Sequence, residues 1–372
     1  MCGGDLVEVL DLGPQPLPNR LVKPDDPPDE RYPLRLVQCQ ACRHVQLGET
    51  VSPEIMFGVD YGFQSGISTG WRVHCTKLAK RFRRTNGLAV DLGSNDGVML
   101  AAMQRCGFQV VGVDPSEPHH DLPVERAFFN ANRAEQLRER LGPADYITAM
   151  NVVAHVPDPI DFLEGIATWL DRDGTAYIEV PYVGAMLVQG TYDQIYHEHV
   201  HYWSASAMVG AAWEAGLSVT GIEHLQIHGG SLRFRLKHGE SLYAVEDESM
   251  LLGDGAIDHF RWMTTKVRQE IAAMVQSAEG PVWAYGANAK GTMLINTIPD
   301  LNRIAVAVDD NTEKHGYCLS GSRIPIGSAG RLSEPRTLVL TAWNWANDLM
   351  RLARDRGFTG RFLIPFPEPR WA

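Results

Sequence analysis

The sequence has little of what marks membrane proteins, secreted proteins and nucleic-acid-binding proteins. Among its 372 residues no apolar run approaches the ~20 residues of a membrane-spanning helix, and the N-terminus lacks a signal-peptide pattern. Lys and Arg form no block and the net charge is −11, which argues against nucleic acid or an anionic membrane as a partner. Only six cysteines are present, so we expect a reduced, cytoplasmic protein without a disulfide framework.

The sequence does contain enough apolar material for two or three domains. Apolar residues make up 44 % of the chain and charged residues 21 %, as in ordinary soluble proteins. Short apolar runs alternate with segments of helical spacing, which predicts doubly wound parallel α/β sheets. We expect a small N-terminal module over 1–70, an α/β domain over 71–240 and a second α/β domain over 241–372. The expected strands are LAVDLG, QVVGVD, DYITAMNV, TAYIEVP and LRFRLKHG, then VWAYG, IAVAVDD, TLVLTAW and FLIPF, with a long helix over 256–277.

Two cysteines of the N-terminal module have the spacing of a zinc knuckle. Cys39 and Cys42 are separated by two residues, and Cys2 before Gly3-Gly4 resembles the second cysteine of another knuckle, whose first cysteine would fall before Met1. The three thiolates predict a structural zinc site, with His44 as a guess for the fourth ligand. The alternatives are three unrelated small buried residues, or a degenerate site that holds no metal.

A Gly-rich turn follows the first strand of the α/β domain. The segment VDLGSNDG has the spacing G-x-x-x-G rather than the G-x-G-x-x-G of dinucleotide sites, which disfavours an NAD-dependent epimerase. Asp96 makes the turn a poor host for pyrophosphate and a fair one for a cationic sulfonium. Asp114 ends the next strand, where an acid is placed to bind both hydroxyls of a ribose. The alternative is an ordinary strand–helix turn with a surface aspartate.

This turn and the acid after the second strand resemble those of the class I S-adenosylmethionine-dependent methyltransferases. The resemblance implies a Rossmann-like domain in which S-adenosylmethionine is the methyl donor. It implies that Asp114 holds the ribose, that Phe128 or Phe129 lies near the adenine, and that Asn151 and His155 face the reacting end. The donor would be lined by Gly93, Asn95 and Asp96.

The segment TYDQIYHEHVHYW, over 191–203, concentrates groups that transfer protons. It holds three histidines, two carboxylates and three tyrosines in thirteen positions. Such groups can act as general acids and bases, and a carboxylate beside a histidine can orient it and raise its basicity. If the segment were a strand, His197, His199 and His201 would share one face and could instead bind a metal. A third interpretation is a set of polar residues around a loop.

The second α/β domain begins with a strand, a Gly-rich turn and a helix over 282–291. Turn amides and Lys290 at a helix N-terminus predict a phosphate cradle for a nucleotide diphosphate. Asn296, Asp309 and Asp310 could serve the same nucleotide. Arg233 is a weaker phosphate candidate, with a structural ion pair as its alternative. The alternative for the turn is a packing element with a surface lysine.

In order along nearly the whole chain, these motifs resemble those of the sugar C-methyltransferases of deoxysugar biosynthesis. The matching segments are LGPQPL, the Cys39/Cys42 knuckle with HVQL, YGFQS, the donor turn, YDQIYHEH, HGG, YGANAK and AWN. The resemblance implies a nucleotide-linked 4-keto-6-deoxyhexose as substrate, carrying a thymidine diphosphate, methylated at carbon 3 or, in some members, carbon 5. It implies a monomer.

The same resemblance assigns roles to residues of the site. It implies that Tyr196, Glu198 and His199 are active-site residues, with His199 as the base, and that a tyrosine of an upstream Y-x-Y-x-S-S segment contributes. That segment has Tyr61 here but departs from the pattern at Phe63 and Gly66. His228 is a second candidate near the sugar, and the substrate contacts extend to Tyr285, Trp343 and Asn344.

The predicted function is therefore base-assisted C-methylation beside a ketone. Three alternatives stay open: another sugar carbon, an oxygen or nitrogen acceptor, or a small keto metabolite. A protein that kept the fold but only binds ligands is the non-enzymatic alternative. Replacing His199 distinguishes a carbon acceptor from an amine acceptor. Methylation of carbon should be lost, because the carbon must first give up a proton to a base, whereas methylation of an amine should largely remain.

Overall fold

Three β-sheets organise the described part of the chain in the computed structural model. The structure describes residues 2–57, 66, 69–82, 86–118, 120–239, 243–299 and 302–372. Each sheet is formed mainly by one of the three predicted units. One short strand, at 201–202, belongs to the central part of the sequence but joins the N-terminal sheet. No helix of these residues is long and apolar enough to cross a bilayer.

The N-terminal module is built on an antiparallel sheet. It contains β1 (Leu6–Gln15), β2 (Tyr32–Cys39) and β3 (Val45–Leu47), followed by the short helix α1 (Pro53–Met56). β2 lies between β1 and β3, and its buried Leu34, Leu36 and Val37 face the core. The module is too thin to enclose a core alone, and its apolar side chains join those of later segments.

The central domain is a seven-stranded sheet covered by helices on both faces. Its elements are α2 (Thr69–Ala79), β4 (Leu88–Leu92), α3 (Val98–Arg105), β5 (Gln109–Asp114), β6 (Val124–Arg126), α4 (Ala131–Leu141), β7 (Ala144–Met150), α5 (Pro159–Trp169), β8 (Leu170–Pro181), α6 (Val183–Gln189), β9 (His201–Tyr202), α7 (Ala205–Glu214), β10 (Leu217–Leu225) and β11 (Ser231–His238). The strand order is β10-β11-β8-β7-β4-β5-β6.

Five strands of this sheet are parallel, as predicted, and the other end of the sheet is not. β6, β5, β4, β7 and β8 pair in parallel, whereas β11 runs antiparallel to both β8 and β10. β10 and β11 are joined by a tight turn in which His228, Gly229 and Gly230 have φ of 53°, 93° and 111°. A connection this short forces two neighbouring strands to be antiparallel. The four strands predicted for the parallel sheet, β4, β5, β7 and β8, are parallel, and β11, which was predicted as a strand without a pairing, is antiparallel.

The C-terminal domain is a second α/β sheet. It contains α8 (Ser249–Leu252), α9 (Asp254–Ser277), β12 (Val282–Tyr285), α10 (Ala289–Thr297), β13 (Ile304–Asp309), β14 (Ile326–Ser328), β15 (Thr337–Leu340), α11 (Ala346–Asp355), β16 (Arg361–Ile364) and β17 (Arg370–Trp371). The order is β14-β13-β12-β15-β16-β17, parallel except for β17. The four predicted strands are confirmed, and the long helix begins at Asp254, two residues earlier than expected.

The segment from α6 to β9 connects all three units. β9 extends the N-terminal sheet by pairing with β3, although it belongs to the central part of the sequence. Leu187, Tyr192 and Ile195 share one apolar core with β2 of the N-terminal module and with the C-terminal sheet. The segment rich in histidine and tyrosine is therefore held where the three units meet.

Candidate functional site

The Gly-rich turn after β4 has the backbone geometry that a bound ligand requires. Gly93 and Gly97 have φ of 68° and 74°, and Asn95 also lies in the left-handed region at 46°. A Cβ added at Gly93 would lie 2.3 Å from a methyl of Val152. Only glycine fits there, and the turn lies at the carboxyl end of β4, where parallel sheets bind ligands.

Asp114 lies beside this turn at the end of β5. One carboxylate oxygen accepts from the amide of Asn95 at 2.8 Å, and the other accepts from the amide of Ser116 at 2.9 Å and from its hydroxyl. Asp96 accepts from the amide of Gly66. Asp91, inside β4, contacts Thr148 at 2.6 Å, and burial raises its pKa to about 7. The structure thus brings Gly93, Asn95, Asp96 and Asp114 to one edge of the sheet.

The other predicted donor residues differ in their surroundings. Phe128 is 44 % exposed, whereas Phe129 packs against Phe162 and Trp169, with ring centroids 5.1 and 6.3 Å away. Asn151 has φ of 59°, and its side-chain carbonyl oxygen is buried without a partner. A left-handed backbone and an orphaned acceptor are typical of residues that meet a ligand. The turn, the acid and Asn151 fit S-adenosylmethionine.

The segment over 191–203 is not a strand over most of its length. Tyr192–Gln194 forms a 3₁₀ turn, and extended pairing starts only at His201. His197 contacts the carbonyl of Tyr32 at 3.2 Å, and His201 contacts His44 at 2.9 Å. The histidines therefore face different partners, and the alternative of three ligands on one strand face is wrong.

His199 is the centre of the described proton-transfer groups. Its Nδ1 lies 2.9 Å from the carbonyl oxygen of Gln194, and its Nε2 lies 2.7 Å from the hydroxyl of Tyr196. A carbonyl can only accept, so Nδ1 carries the proton and Nε2 presents the lone pair. Burial holds the pKa of His199 well below its usual range, with His155 and Lys290 adding to the effect. The ring is thus a neutral imidazole able to accept a proton at Nε2.

Glu198 faces the N-terminal module and not the imidazole of His199. Its carboxylate accepts from the side-chain amide of Asn19 at 2.5 Å, and burial raises its pKa to about 7. Its backbone carbonyl accepts from Nδ1 of His155 at 2.5 Å. The rings of His155 and His199 are 5.0 Å apart. Glu198 therefore fixes the position of His155 through its backbone.

A chain of aromatic and charged groups lies on the side of His228. The His228 ring is 5.4 Å from Trp71, which stacks on His74 at 5.2 Å. His74 contacts the buried carboxylate of Glu179, which also accepts from Arg233 at 2.5 Å. Arg233 thus forms the structural ion pair that was its alternative, and it is not free to bind a phosphate.

Lys290 and Trp343 reach this site from the C-terminal domain. The ammonium of Lys290 donates to the carbonyl of His228 at 2.9 Å and lies 5.6 Å from the centre of the Trp343 ring. The indole of Trp343 donates to Asp193 at 2.7 Å. In the Gly-rich turn before Lys290, the amide of Ala287 is not available to a phosphate, because it donates to Asp309 at 2.7 Å. Lys290 therefore faces the central domain and not an open phosphate cradle.

The remaining predicted substrate residues are not brought together. The hydroxyl of Tyr285 donates to Asp310 at 2.9 Å and accepts from Arg356 at 2.8 Å. Asn296 is six residues beyond Lys290 along α10 and donates to the carbonyl of Ser320 at 3.0 Å. The side-chain oxygen of Asn344 is buried without a partner. Tyr61 lies outside the described residues.

The N-terminal cysteines form a cluster that fits a metal ion. The sulfurs of Cys2, Cys39 and Cys42 lie within 4.8 Å of one another, as ligands of one tetrahedral zinc do. A Cβ at Gly4 would approach the Cys39 sulfur to 2.8 Å, so glycine is needed beside the cluster. His44 is not the fourth ligand, because it is buried against His201 and Trp203. Among the described residues this is the one group with metal-ligand geometry.

Sequence reasoning missed several residues of the site. Asn19, His74 and Glu179 were not predicted, and Asp193 was noted only as part of a motif. Asn19 gives no sequence signal, because its partner lies 179 residues away. Glu179 could have been found, since a carboxylate inside an apolar strand is costly unless it is paired.

Family models match three consecutive parts of the chain. The model described as "Putative zinc binding domain" matches residues 1–57, "Methyltransferase domain" matches 69–221 and "C-methyltransferase C-terminal domain" matches 226–367. Each match covers most of one sheet, although β11 of the central sheet falls within the third match.

Individual proteins are similar to the chain over different lengths. The C-methyltransferase NovU of Streptomyces niveus is 31 % identical, and the match covers 100 % of this chain and 95 % of that protein. A ubiquinone biosynthesis O-methyltransferase of Ralstonia nicotianae is 29 % identical over 41 % of this chain and 72 % of its own. The solved magnesium protoporphyrin IX methyltransferase of Synechocystis PCC 6803, with bound SAH, is 12 % identical, covers 48 % of this chain and 90 % of its own, and has a TM-score of 0.36. The match to NovU extends over all three units, and the other two cover less than half of the chain.

Proposed function

Since the chain belongs to the S-adenosylmethionine-dependent C-methyltransferases, we propose that it methylates a carbon next to the ketone of a nucleotide-linked 4-keto-6-deoxyhexose. We propose that carbon 3 of the sugar is methylated and that the nucleotide is thymidine diphosphate. The observation that carries the proposal is the neutral imidazole of His199, whose Nε2 has the ring's lone pair and accepts a hydrogen bond from the Tyr196 hydroxyl.

A carbon acceptor needs such a base, because the carbon has no lone pair to attack the methyl group. The electron pair becomes available only when the C–H proton is removed. The ketone acidifies the neighbouring C–H, and a positioned base contributes roughly 10²–10⁴-fold to the rate. His199 has the protonation state for this role, since burial keeps it neutral. The Gln194 carbonyl holds the ring so that Nε2, not Nδ1, points toward the Tyr196 hydroxyl.

The tyrosine supplies the second group of the reaction. Removal of the proton places negative charge on the ketone oxygen, and a preorganised donor at that oxygen lowers the barrier. The Tyr196 hydroxyl is a donor that already lies 2.7 Å from Nε2, and we propose that it turns to the substrate oxygen when the sugar binds. The ring of His155 lies 5.0 Å from that of His199.

The donor occupies the edge formed by the Gly-rich turn and Asp114. S-adenosylmethionine supplies an electrophilic methyl group when it is bound there. Asp114 and the turn around Asn95 hold the adenosine end, and the side-chain oxygen of Asn151 is a buried acceptor without a partner. These residues orient the ligand and exclude water, and alignment of the two reactants is a large part of such catalysis.

Oxygen and nitrogen acceptors, another sugar carbon and small keto metabolites are the competing substrates. The partial match to an O-methyltransferase covers 41 % of this chain, whereas the match to a C-methyltransferase covers all of it. The base also favours carbon, because an amine needs no such group. We further propose that the three-cysteine module carries structural zinc and that the protein acts as a cytoplasmic monomer in deoxysugar biosynthesis.

Proton NMR in heavy water tests the proposal directly. The purified protein is incubated with S-adenosylmethionine and a thymidine-diphosphate 4-keto-6-deoxyhexose. We expect loss of the signal from the proton beside the ketone and a new methyl signal on that carbon. Exchange without methylation supports the base and points to a different sugar. A new methyl on oxygen or nitrogen, or no change while the donor still binds, contradicts C-methylation of this substrate class.

A further inference from the structure

The cluster of Lys290, Asp193, Trp343 and His228 is the part of the site with no role so far. Lys290 and Trp343 belong to the C-terminal domain, and Asp193 and His228 belong to the central domain. Lys290 is partly buried, and its ammonium has one recorded hydrogen bond, to the carbonyl of His228. Burial lowers the pKa of Lys290, and the nearby carboxylate of Asp193 opposes that shift, so the ammonium has one direct hydrogen bond and one opposite charge close by.

The side chain of Lys290 is held in place by its neighbours. It lies over the ring of Trp343, an arrangement that attracts an ammonium electrostatically. The indole nitrogen of Trp343 is fixed by Asp193, which is fully buried. The second carboxylate oxygen of Asp193 is buried without a partner, so the negative charge near the ammonium is incompletely satisfied.

The same contacts connect this cluster to the base. Asp193 and Gln194 are consecutive, and the carbonyl of Gln194 holds Nδ1 of His199. A Cβ on Gly229 would lie 3.0 Å from the Trp343 ring and 3.5 Å from the Gln194 amide, so these groups share one small space. Burial lowers the pKa of both His199 and His228, and the positive charge of Lys290 lowers both further.

We propose that Lys290 is a catalytic residue whose ammonium stabilises the enolate oxygen formed during proton removal. The inference rests on the proposed function. In that step the C–H bond breaks, the proton goes to Nε2 of His199, and the electron pair forms the carbon–carbon double bond. The carbonyl π pair moves onto oxygen, and the Lys290 ammonium donates a hydrogen bond to it without losing its proton. Trp343 and Asp193 act as positioning residues for the ammonium.

This role differs from a phosphate anchor in a measurable way. A group that acts only on the developing negative charge changes kcat, whereas a group that binds the diphosphate changes KM and the affinity for the nucleotide. The amide of Ala287 already donates to Asp309, the last residue of β13, and a second aspartate, Asp310, comes next, which disfavours a diphosphate at the turn. Lys314 is a matched control, because its ammonium contacts the same turn at the Ala287 carbonyl, 2.7 Å away.

The experiment compares wild type, Lys290→Met, Lys290→Arg and Lys314→Met by proton exchange in heavy water and by methyl transfer. The probes are a thymidine-diphosphate 4-keto-6-deoxyhexose for turnover and thymidine diphosphate for binding. We expect Lys290→Met to lower kcat for both reactions by about 10²–10³-fold, the cost of removing one such donor. The Kd for thymidine diphosphate and for the donor should stay unchanged. Lys290→Arg should recover part of the activity, and Lys314→Met should resemble wild type.

Other results overturn the inference. A raised KM and a weaker Kd for thymidine diphosphate, with kcat retained, would assign Lys290 to the phosphates. A kcat for Lys290→Met close to that of wild type would leave it no catalytic role. If wild type acts on no keto sugar although it binds the donor, the proposed function fails and this inference fails with it. Donor binding reports whether each variant is folded, and Lys290→Gln replaces the methionine variant if that one is not.

Discussion

The hydroxyl of Tyr196 donates a hydrogen bond to Nε2 of His199 at 2.7 Å, and the two rings lie 4.0 Å apart. Only Nε2 of His199 can accept a proton on this side, because Nδ1 already donates its proton to the Gln194 carbonyl. It also means that the substrate must replace the tyrosine at Nε2 before a proton can move. Under the proposed function, the tyrosine protects the base until the sugar binds.

His199→Gln should abolish most of the proton exchange. We expect kcat for exchange and for methylation to fall by about 10²–10⁴-fold, since the amide cannot accept the proton. Tyr196→Phe should leave the base in place and lower kcat by less than the histidine variant. Rates measured by NMR in heavy water, beside donor Kd by calorimetry, test both changes. His259→Gln, on an exposed part of α9, is the control. Exchange at the wild-type rate in His199→Gln would rule out this base.

Asn19 should stabilise the charged form of Glu198. Burial raises the pKa of Glu198 to about 7, above its value in the unfolded chain, so this group's contribution to stability declines as pH rises through that value. The Asn19 amide offsets part of the loss by donating to the carboxylate. Asn19→Leu should therefore lower the free energy of unfolding by about 1–3 kcal/mol at pH 8, and by less at pH 6.

Urea unfolding at the two pH values measures this difference. Asn347→Leu, on the exposed side of α11, provides the control for introducing leucine. An equal loss at both pH values would mean that Asn19 acts by packing and not through the carboxylate. A loss that grows with pH would show that the N-terminal module contributes directly to the electrostatics of the site.

The sequence predicted the elements of the fold better than their pairing. β4 is recognisable as an apolar run that ends in a Gly-rich turn and β5 as an apolar run that ends in an aspartate, and both were found where expected. The reversal of β11 and the pairing of β9 with β3 were not predicted. Both depend on contacts between distant segments, and a hydrophobic pattern specifies which face of a strand is buried but not its neighbour.

The same distinction applies to the site. Tyr196 and His199 lie three residues apart in one motif, so the sequence alone indicated that they could act together. Lys290 was assigned to a phosphate because a lysine after a Gly-rich turn usually faces such a ligand. Here the Asp309 carboxylate accepts from the turn amide, and the lysine turns to His228. Only the packing of the two domains determines that direction.

Cys39→Ser should remove the zinc. Three thiolates within 4.8 Å would repel one another without a cation, so the loss of one should release the metal and destabilise the N-terminal module. We expect about one zinc per wild-type chain by elemental analysis, and a clear decrease in the variant. Cys106→Ser, outside the cluster, should keep its zinc. Equal zinc in Cys39→Ser and wild type would place the metal elsewhere.

His44 and His201 should make the contact between the N-terminal sheet and the central domain sensitive to acid. The two imidazoles are buried 2.9 Å apart, and burial lowers the pKa of His44 to about 3 and that of His201 to about 4. Both values lie below those of the unfolded chain, near 6.5, so the stability that the neutral pair contributes is complete above that pH. It is lost as pH falls, by about 1.4 kcal/mol per pH unit for each histidine.

His201→Gln tests this dependence, because glutamine does not titrate. The variant should be less stable than wild type at pH 7.5, since His44 loses its partner. That difference should shrink by about 2 kcal/mol at pH 5.0, because the unfolded wild-type chain gains a proton that the variant cannot bind. Urea unfolding at both pH values gives the comparison, with His259→Gln as the exposed control. A difference that stays constant with pH would mean that His201 is protonated in the folded protein, and that the buried pair is not neutral. If it shrinks as expected, β9 is fixed to β3 by two neutral rings, and acid should loosen the segment that carries His199.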